Sequence, residues 1–349
     1  MSELPEAATY EALLRSRALT RAQRDAGRKP PTFESVVISE PLGPVSVTAD
    51  IDKVQGFAFA TDDFGSWHFQ DSPFGGPVGH AALLANDLLT VYYTNFDRHR
   101  VDTPRVHVSE ELEFISPVGL GERAEISGSY VEKYRRNQRD HVVMDAVATG
   151  EDGRVLIRHR SVDIIVDPDA RGASSREKSI GTDSDRVSGD FRADLPAVAV
   201  ASLELSAGTP LIPLHVAMTS EKMAVFSFVG ELEKNIHNDL GMAKLGGFSR
   251  PICQGQHQVC LASRLMTRFF GEAWYTTGRL KSKFINPLYG ETAVTVGGVV
   301  RAWEDTPAGS RLHADFWVEH GGKFMTVGWA SAIVPTKEHK EVSGNDARS

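Results

Sequence analysis

The chain has 349 residues, with 38 Lys and Arg against 46 Asp and Glu, a formal net charge of −8. That acidic balance argues against nucleic acid as the main partner, and no apolar run approaches the roughly 20 residues that span a bilayer. A hydrophobic share of 41% with 24% charged residues is ordinary for a globular protein, and the length exceeds one small core, so two domains or one doubled domain are expected.

Residues 1–37 read as a polar extension, helical over 1–32, without the apolar stretch of a secretory leader, which suits a cytoplasmic protein. The first domain is expected over 38–166. "VTADIDKVQGFAFAT" reads as a short helix with Asp50 near its start. "FATDDFGSWHFQ" follows, holding Asp63 and His68 five positions apart. Gly65 and Ser66 favour a bend between them; on a continuous helix, residues five apart diverge by about 140°. The bend lets the carboxylate and the imidazole face one point. In isolation such a pair also reads as a turn cap and a satisfied histidine. "GHAALLANDLLTVYYTNF" places Leu83, Leu84, Leu88, Leu89 and Tyr92 at helical spacing, a long helix with Pro77 in its first turn. "VHVSEELEFISPV", "RAEISGSYVEKY", "DHVVMDAVATG" and "VLIRHRSVDIIV" read as strands, with Glu151-Asp152-Gly153 as a turn signal. The segment at 132–141, "EKYRRNQRDH", is a basic hairpin.

Residues 167–195 are polar and rich in Ser, Gly and Asp, and read as a mobile linker. Beyond it, at 196–336, the pattern repeats, leaving a charged tail at 337–349. "FISPVGLGE" at 114–122 returns as "FINPLYGE" at 284–291, so that Phe114 and Pro117 recur as Phe284 and Pro287. "FGGPVGHA" at 74–81 parallels "FSRPICQG" at 248–255, and "DGRVLIRHRSVDIIV" at 152–166 parallels "GGKFMTVGWASAIVP" at 321–335. Three blocks in one order, at offsets of about 170 residues, indicate a duplicated domain. A helix followed by a run of antiparallel strands, twice, is an α+β arrangement. Cys253 and Cys260 lack metal-ligand spacing and read as core cysteines in a reducing compartment.

These residues resemble the MaoC-like, R-specific enoyl-CoA hydratases. "TDDFGSWH" is similar to that family's D-x-N-P-x-H signature, with Asp63 and His68 at its acid and base and Gly65-Ser66 in place of Asn-Pro. "FGGPVGHA" resembles F-G-x-P-I-x-H-G, with His80 at the family's His and Ala81 where Gly is usual, and "LEFISPVGLGERAEISG" resembles its strand motif. "NIHNDLGMAKLGGFSRPICQG" carries the second copy: His237 matches the family His, Leu232 stands where Asp is expected, Gln254 replaces His, and Gly255 is kept. Glu231 or Glu233 reaches the acid's place only after a one-residue loop shift. The resemblance implies a double hotdog: two tandem hotdog domains, each an antiparallel sheet wrapped on a long helix. It covers about residues 45–166 and 205–335.

The activity implied is reversible hydration of an enoyl thioester, CoA favoured over acyl carrier protein, with no metal and no cofactor. Asp63 and His68 would act as acid and base on water, first copy catalytic. Backbone N–H groups of Gly79, His80 and Ala81 would receive the thioester oxygen; His237, Glu233 and Gly255 are the second-copy candidates. The basic hairpin, or Lys281 and Lys283, would meet the carrier's phosphates. His257 is expected to pack, and Asp239 to cap a turn. A double hotdog already contains its pseudo-dimer interface, so either a monomer or a homodimer is compatible. A double-hotdog acyl-CoA thioesterase and a non-catalytic acyl-binding subunit are the alternatives; thiol release, or binding without turnover, would mark them.

Overall fold

A computed structural model describes residues 27–97, 105–165, 187, 189–227 and 235–334. Among these, ten strands form one antiparallel sheet, in the order β1-β3-β4-β5-β2-β7-β10-β9-β8-β6. The first half contributes β1 (Pro41–Thr48), β2 (Arg105–Phe114), β3 (Arg123–Arg136), β4 (Arg139–Gly150) and β5 (Val155–Ile165). The second contributes β6 (Leu214–Met218), β7 (Arg279–Phe284), β8 (Thr292–Thr306), β9 (Gly309–His320) and β10 (Lys323–Val334). The second half's order mirrors the first, strand for strand, about the β2–β7 seam. The strands end where the sequence supplies turn chemistry. Asn137 and Gln138 take φ of 50° and 56° between β3 and β4, and Gly153 takes φ of 82° between β4 and β5.

The expected repeat is visible in the hydrogen bonds. Ile115 and Ser116 N–H donate to Leu156 O at 2.9 and 3.2 Å; Ile285 and Asn286 N–H donate to Met325 O at 2.8 and 3.2 Å. Gly79 N–H donates to Val118 O at 2.8 Å, and Cys253 N–H to Leu288 O at 2.7 Å. Each motif block thus builds the same joint in each half.

At the seam β2 pairs with β7 from Ser109↔Lys283 to Glu113↔Arg279, placing Leu112 opposite Leu280. Both leucines are buried, and one apolar cluster runs through both halves. Glu110 is fully buried there, 3.0 Å from His107 Nε2 and 2.8 Å from His159 Nε2. Burial would raise its pKa, but the two imidazoles outweigh that and hold it low.

The helices pack on the inner face. α1 (Ile51–Thr61) starts as its sequence suggests, Asp50 accepting the Lys53 N–H at 2.8 Å. α2 (Ala85–Thr90) follows in the first half; α3 (Ser220–Ser227), α4 (Leu240–Leu245), α5 (Gly255–Phe270) and α6 (Glu272–Thr277) belong to the second. Asp239 caps α4 by accepting from Met242 N–H, as expected.

Three expectations are corrected. The long helix of the first half is broken: six residues of α2 are preceded by turns and followed by a 3-10 stretch, Val91–Thr94. The reason is local competition for backbone groups. His80 Nδ1 accepts the Ala82 N–H at 3.0 Å. Leu83 and Ala85 N–H donate to His80 and Ala82 carbonyls, three residues back, while Thr90 and Thr94 hydroxyls bond to Asn86 O and Val91 O. Pro77 accordingly lies outside any helix. Residues 27–32 are not helical; Lys29 instead makes a parallel bridge with Phe96. The carboxyl-terminal end of the expected linker is packed, with Val187 buried against Trp317 and Val327, because that valine covers apolar surface on the sheet. Residues 1–26, 166–186, 188 and 335–349, which carry the rest of the extension, linker and tail, lie outside the described residues.

Leu280→Ala removes the apolar contact opposite Leu112 at the seam. It is expected to lower stability by about 2–5 kcal/mol in urea denaturation, and an unchanged midpoint would contradict a shared core across β2 and β7.

Candidate active site

Asp63 owes its position to the end of α1. The helix stops where Asp62 turns to φ of 55°, and Asp63 N–H donates back to Ala58 O at 2.9 Å. The last carbonyls of a buried helix need partners, and the second half supplies them. His257 Nε2–H donates to Ala60 O at 2.8 Å, Arg264 Nη1 to Thr61 O at 3.1 Å, and Lys222 Nζ pairs with Asp62 Oδ2 at 2.6 Å. The two cations also suit the negative pole of the helix. His257 is the packed histidine expected from sequence, stacked on Phe226 with ring centroids 4.2 Å apart.

Past Asp63 the chain bends at Gly65 into a 3-10 turn, Ser66–His68. His68 Nδ1–H donates to Val78 O at 2.9 Å, which turns Nε2 toward Asp63, 3.1 Å from Oδ2. A neutral ring would then press its Nε2 lone pair against a carboxylate, so this approach fits a proton on both nitrogens. Burial pushes the His68 pKa down, but the close Asp63 carboxylate, with the Val78 carbonyl, leaves it raised. For Asp63 burial pushes up, yet His68, His80 and Arg264 hold the carboxyl down to about 2. The pair is an imidazolium and a carboxylate.

His80 Nε2 approaches the same Asp63 oxygen at 3.3 Å. Because its Nδ1 accepts the Ala82 N–H, its single proton sits on Nε2. Burial, with the positive charges of His68 and Arg264, outweighs Asp63 and lowers its pKa to about 4, so it is neutral. The N–H directions miss the carboxylate: Asp63 Oδ2 and His80 Nε2 are buried without a hydrogen-bond partner. Gly65 keeps the approach open, since a methyl group there would stand 3.4 Å from Asp63 Oδ1 and 3.6 Å from His68 Nε2. The expected pair and His80 therefore converge on one point. Of the N–H groups expected to be free, that of Gly79 is consumed by Val118 O.

Among the described residues, the second copy keeps the frame without the pair. His237 Nδ1–H donates to Ile252 O at 2.8 Å, the counterpart of His68 and Val78. Burial pushes its pKa down to about 4, and among the described residues no charged partner offsets that. Gln254 stands opposite in place of His80, its Oε1 buried without a partner. Gly255 lies under Phe284, whose ring a methyl group would strike at 2.8 Å. Glu233 lies outside the described residues.

Four of the residues expected to meet phosphate are engaged elsewhere. Lys133 donates to Phe33 O and Val36 O, Arg135 pairs with Asp140, Lys281 pairs with Glu111, and Lys283 lies over the Trp329 ring. Lys281 and Glu111 line a cavity of about 770 Å³ on the outer face of the sheet. Its size does not make it the site: none of the converging polar atoms above reaches it, and Arg158, Arg160, Arg279 and Lys281 are each paired with a carboxylate. Among the described residues no group of three or more His, Cys, Asp or Glu is placed to hold a metal ion, and no helix is long and apolar enough to cross a membrane. Cys253 and Cys260 are buried and unbridged, their thiol pKa values pushed up by burial.

Arg264 and Tyr275 were not singled out from sequence. Arg264 left one signal, a lone charge in the apolar run "VCLASRLM" of α5; Tyr275 left none.

His80, His237 and His257 each have pKa values lowered to about 4. Unfolded, each would titrate near the ordinary histidine value of roughly 6.5. Groups lowered by folding contribute fully above that value and lose the contribution as pH falls toward the folded one, at about 1.4 kcal/mol per pH unit each. His68 is raised, so its contribution changes only above pH 6.5, and that of Asp63 only below 3.8. Denaturation midpoints should therefore fall steeply from pH 6.5 to pH 4; a flat profile there would contradict buried neutral histidines.

No family model matches the sequence, and no curated protein does. Solved structures do. A MaoC-like dehydratase matches with a TM-score of 0.66 over 87% of this chain and 100% of its own, at 16% identity. A MaoC domain dehydratase from Chloroflexus aurantiacus matches at 0.65 over 89% and 99%, at 11% identity. A Mycobacterium tuberculosis protein described as having a double hotdog fold matches at 0.57 over 87% and 98%, at 14% identity. Identities this low carry architecture and no more, and the architecture they carry agrees with the mirrored half-sheets described above: the chain is a double hotdog.

Proposed function

We propose that the protein is a MaoC-like hydro-lyase that adds water reversibly to the double bond of an enoyl thioester, with one catalytic centre in the first half. The observation that carries this reading is the convergence of Asp63, His68 and His80 on one point beside an unobstructed glycine. The motif likeness and the shared fold support it.

Hydration needs a base for water, an acid for Cα, and donors for the oxygen that gains charge. Asp63 Oδ2, buried and without a hydrogen-bond partner, takes a proton from water as the oxygen attacks Cβ. His68, charged at rest, delivers its Nε2 proton to Cα. The proton left on Asp63 then returns to His68 across their 3.1 Å separation, restoring the starting state. A carboxylate held near 2 is a weak base while His68 is charged; once His68 gives up its proton, the charge that held Asp63 low disappears and the carboxylate strengthens. His80, neutral with its proton on Nε2, stands beside Asp63 without competing as an acid. CoA is the carrier favoured, the acyl group being unspecified.

Purified protein is expected to remove the enoyl absorbance of trans-2-enoyl-CoAs without releasing free thiol. Asp63→Asn and His68→Ala should each lower kcat/KM by about 10²–10⁴-fold, while His237→Ala retains activity. Loss of activity in His237→Ala alone would move the centre to the second half, and thiol release would make the protein a thioesterase.

A further inference from the structure

Tyr275 belongs to α6 of the second half, yet its ring packs against first-half residues. Its centroid lies 5.9 Å from that of Trp67, within the turn that carries His68, and 5.4 Å from that of Phe74, which leads into the His80 segment. The helix is pinned behind it: Trp274 Nε1–H donates to Ser263 Oγ at 2.9 Å and Trp274 stacks on Phe270. The residue is 1% exposed, and its hydroxyl is buried without a hydrogen-bond partner. A buried phenol without a partner costs stability, so its retention asks for a reason.

The surroundings of the hydroxyl supply one. The Ala81 N–H and the Asp63 carboxylate both lie close enough to the phenol to act on it. Among the described residues neither the Ala81 N–H nor the phenol O–H makes a hydrogen bond, which leaves both donors available to a third group. Burial first, then Asp63, push the phenol pKa far upward, so the hydroxyl keeps its proton at any working pH.

We infer that Tyr275 is a catalytic residue, its hydroxyl and the Ala81 N–H together forming the donor pair for the thioester oxygen as it becomes an enolate oxyanion. This inference rests on the hydratase reading of the Asp63 centre. The pair spans both halves, so the second half would contribute a working group to the centre as well as its walls. No proton is transferred: the phenol O–H and the amide N–H donate hydrogen bonds that shorten as charge develops, the arrangement that stabilises oxyanions in water-excluded sites. With the Gly79 N–H already spent on Val118 O, the tyrosine replaces a backbone donor.

Tyr275→Phe keeps the ring between Trp67 and Phe74 and removes only the hydroxyl. It should lower kcat for enoyl-CoA hydration by about 10²–10³-fold with KM changed less than about twofold and the denaturation midpoint preserved or raised. An independent reading uses acetoacetyl-CoA, whose enolate has its own near-ultraviolet band and which needs no hydration. Unmodified protein should bind it and increase the band; Tyr275→Phe should bind it without the increase. A kcat within about threefold of the unmodified protein, or an unchanged band, would overturn the role of Tyr275 alone. Failure of the unmodified protein to bind any acyl-CoA would overturn the thioester reading and this inference with it.

Discussion

The carboxyl-terminal end of α1 is the point on which the site depends. A helix that ends inside a protein leaves carbonyls that water cannot reach. Here Ala60 O, Thr61 O and the Asp62 carboxylate are each met by a side chain from the other half, His257, Arg264 and Lys222. The two bonds that involve a charged group, those of Arg264 and Lys222, contribute roughly 1.5–3 kcal/mol each, and that of neutral His257 less. Their geometric effect matters more for function, because Asp63 is the next residue along. The carboxylate is held from the far side of the pseudo-dimer, and the sheet seam through Leu112 and Leu280 holds the two halves in the register this requires.

The two halves show how a duplicated frame can diverge in chemistry without changing shape. His68 and His237 are anchored alike, by carbonyls of Val78 and Ile252. The difference lies in what surrounds Nε2. Beside His68 stands a carboxylate that keeps the ring charged, whereas among the described residues His237 has no such neighbour and burial lowers its pKa. His80 gives way to Gln254, and the counterpart of Ala81 is a glycine closed over by Phe284. The broken first helix belongs to the same divergence: the His80 ring takes a backbone N–H that a regular helix would have paired, and in doing so fixes its own tautomer.

Much of this was legible in the sequence where the determinants are local. The Asp63–His68 spacing, the Gly65-Ser66 bend, the Asp50 cap, the Gly153 turn and the three repeated blocks all act within a few residues, and each sits as the pattern implied. What was not legible depends on partners far along the chain. Arg264 and Tyr275 reach the site only because α5 and α6 pack against the first half. The pairing of β2 with β7 involves two strands that the pattern can place only within their own halves. The helix break was hidden because Leu83, Leu84 and Leu88 keep helical spacing while the hydrogen bonds beneath them shift from four residues to three. The packed Val187 was hidden by the polar residues around it, since composition averages over the one side chain that finds a hydrophobic seat.

The central claim is that each chain has one working centre, completed by both halves, and that the second copy serves as frame. Counting bound ligand tests it most directly. Titration calorimetry with butyryl-CoA, which is saturated and cannot be hydrated, should show one molecule bound per chain. Two per chain would mean that the His237 half keeps a site of its own, and none would remove the thioester centre altogether; either result would contradict the account.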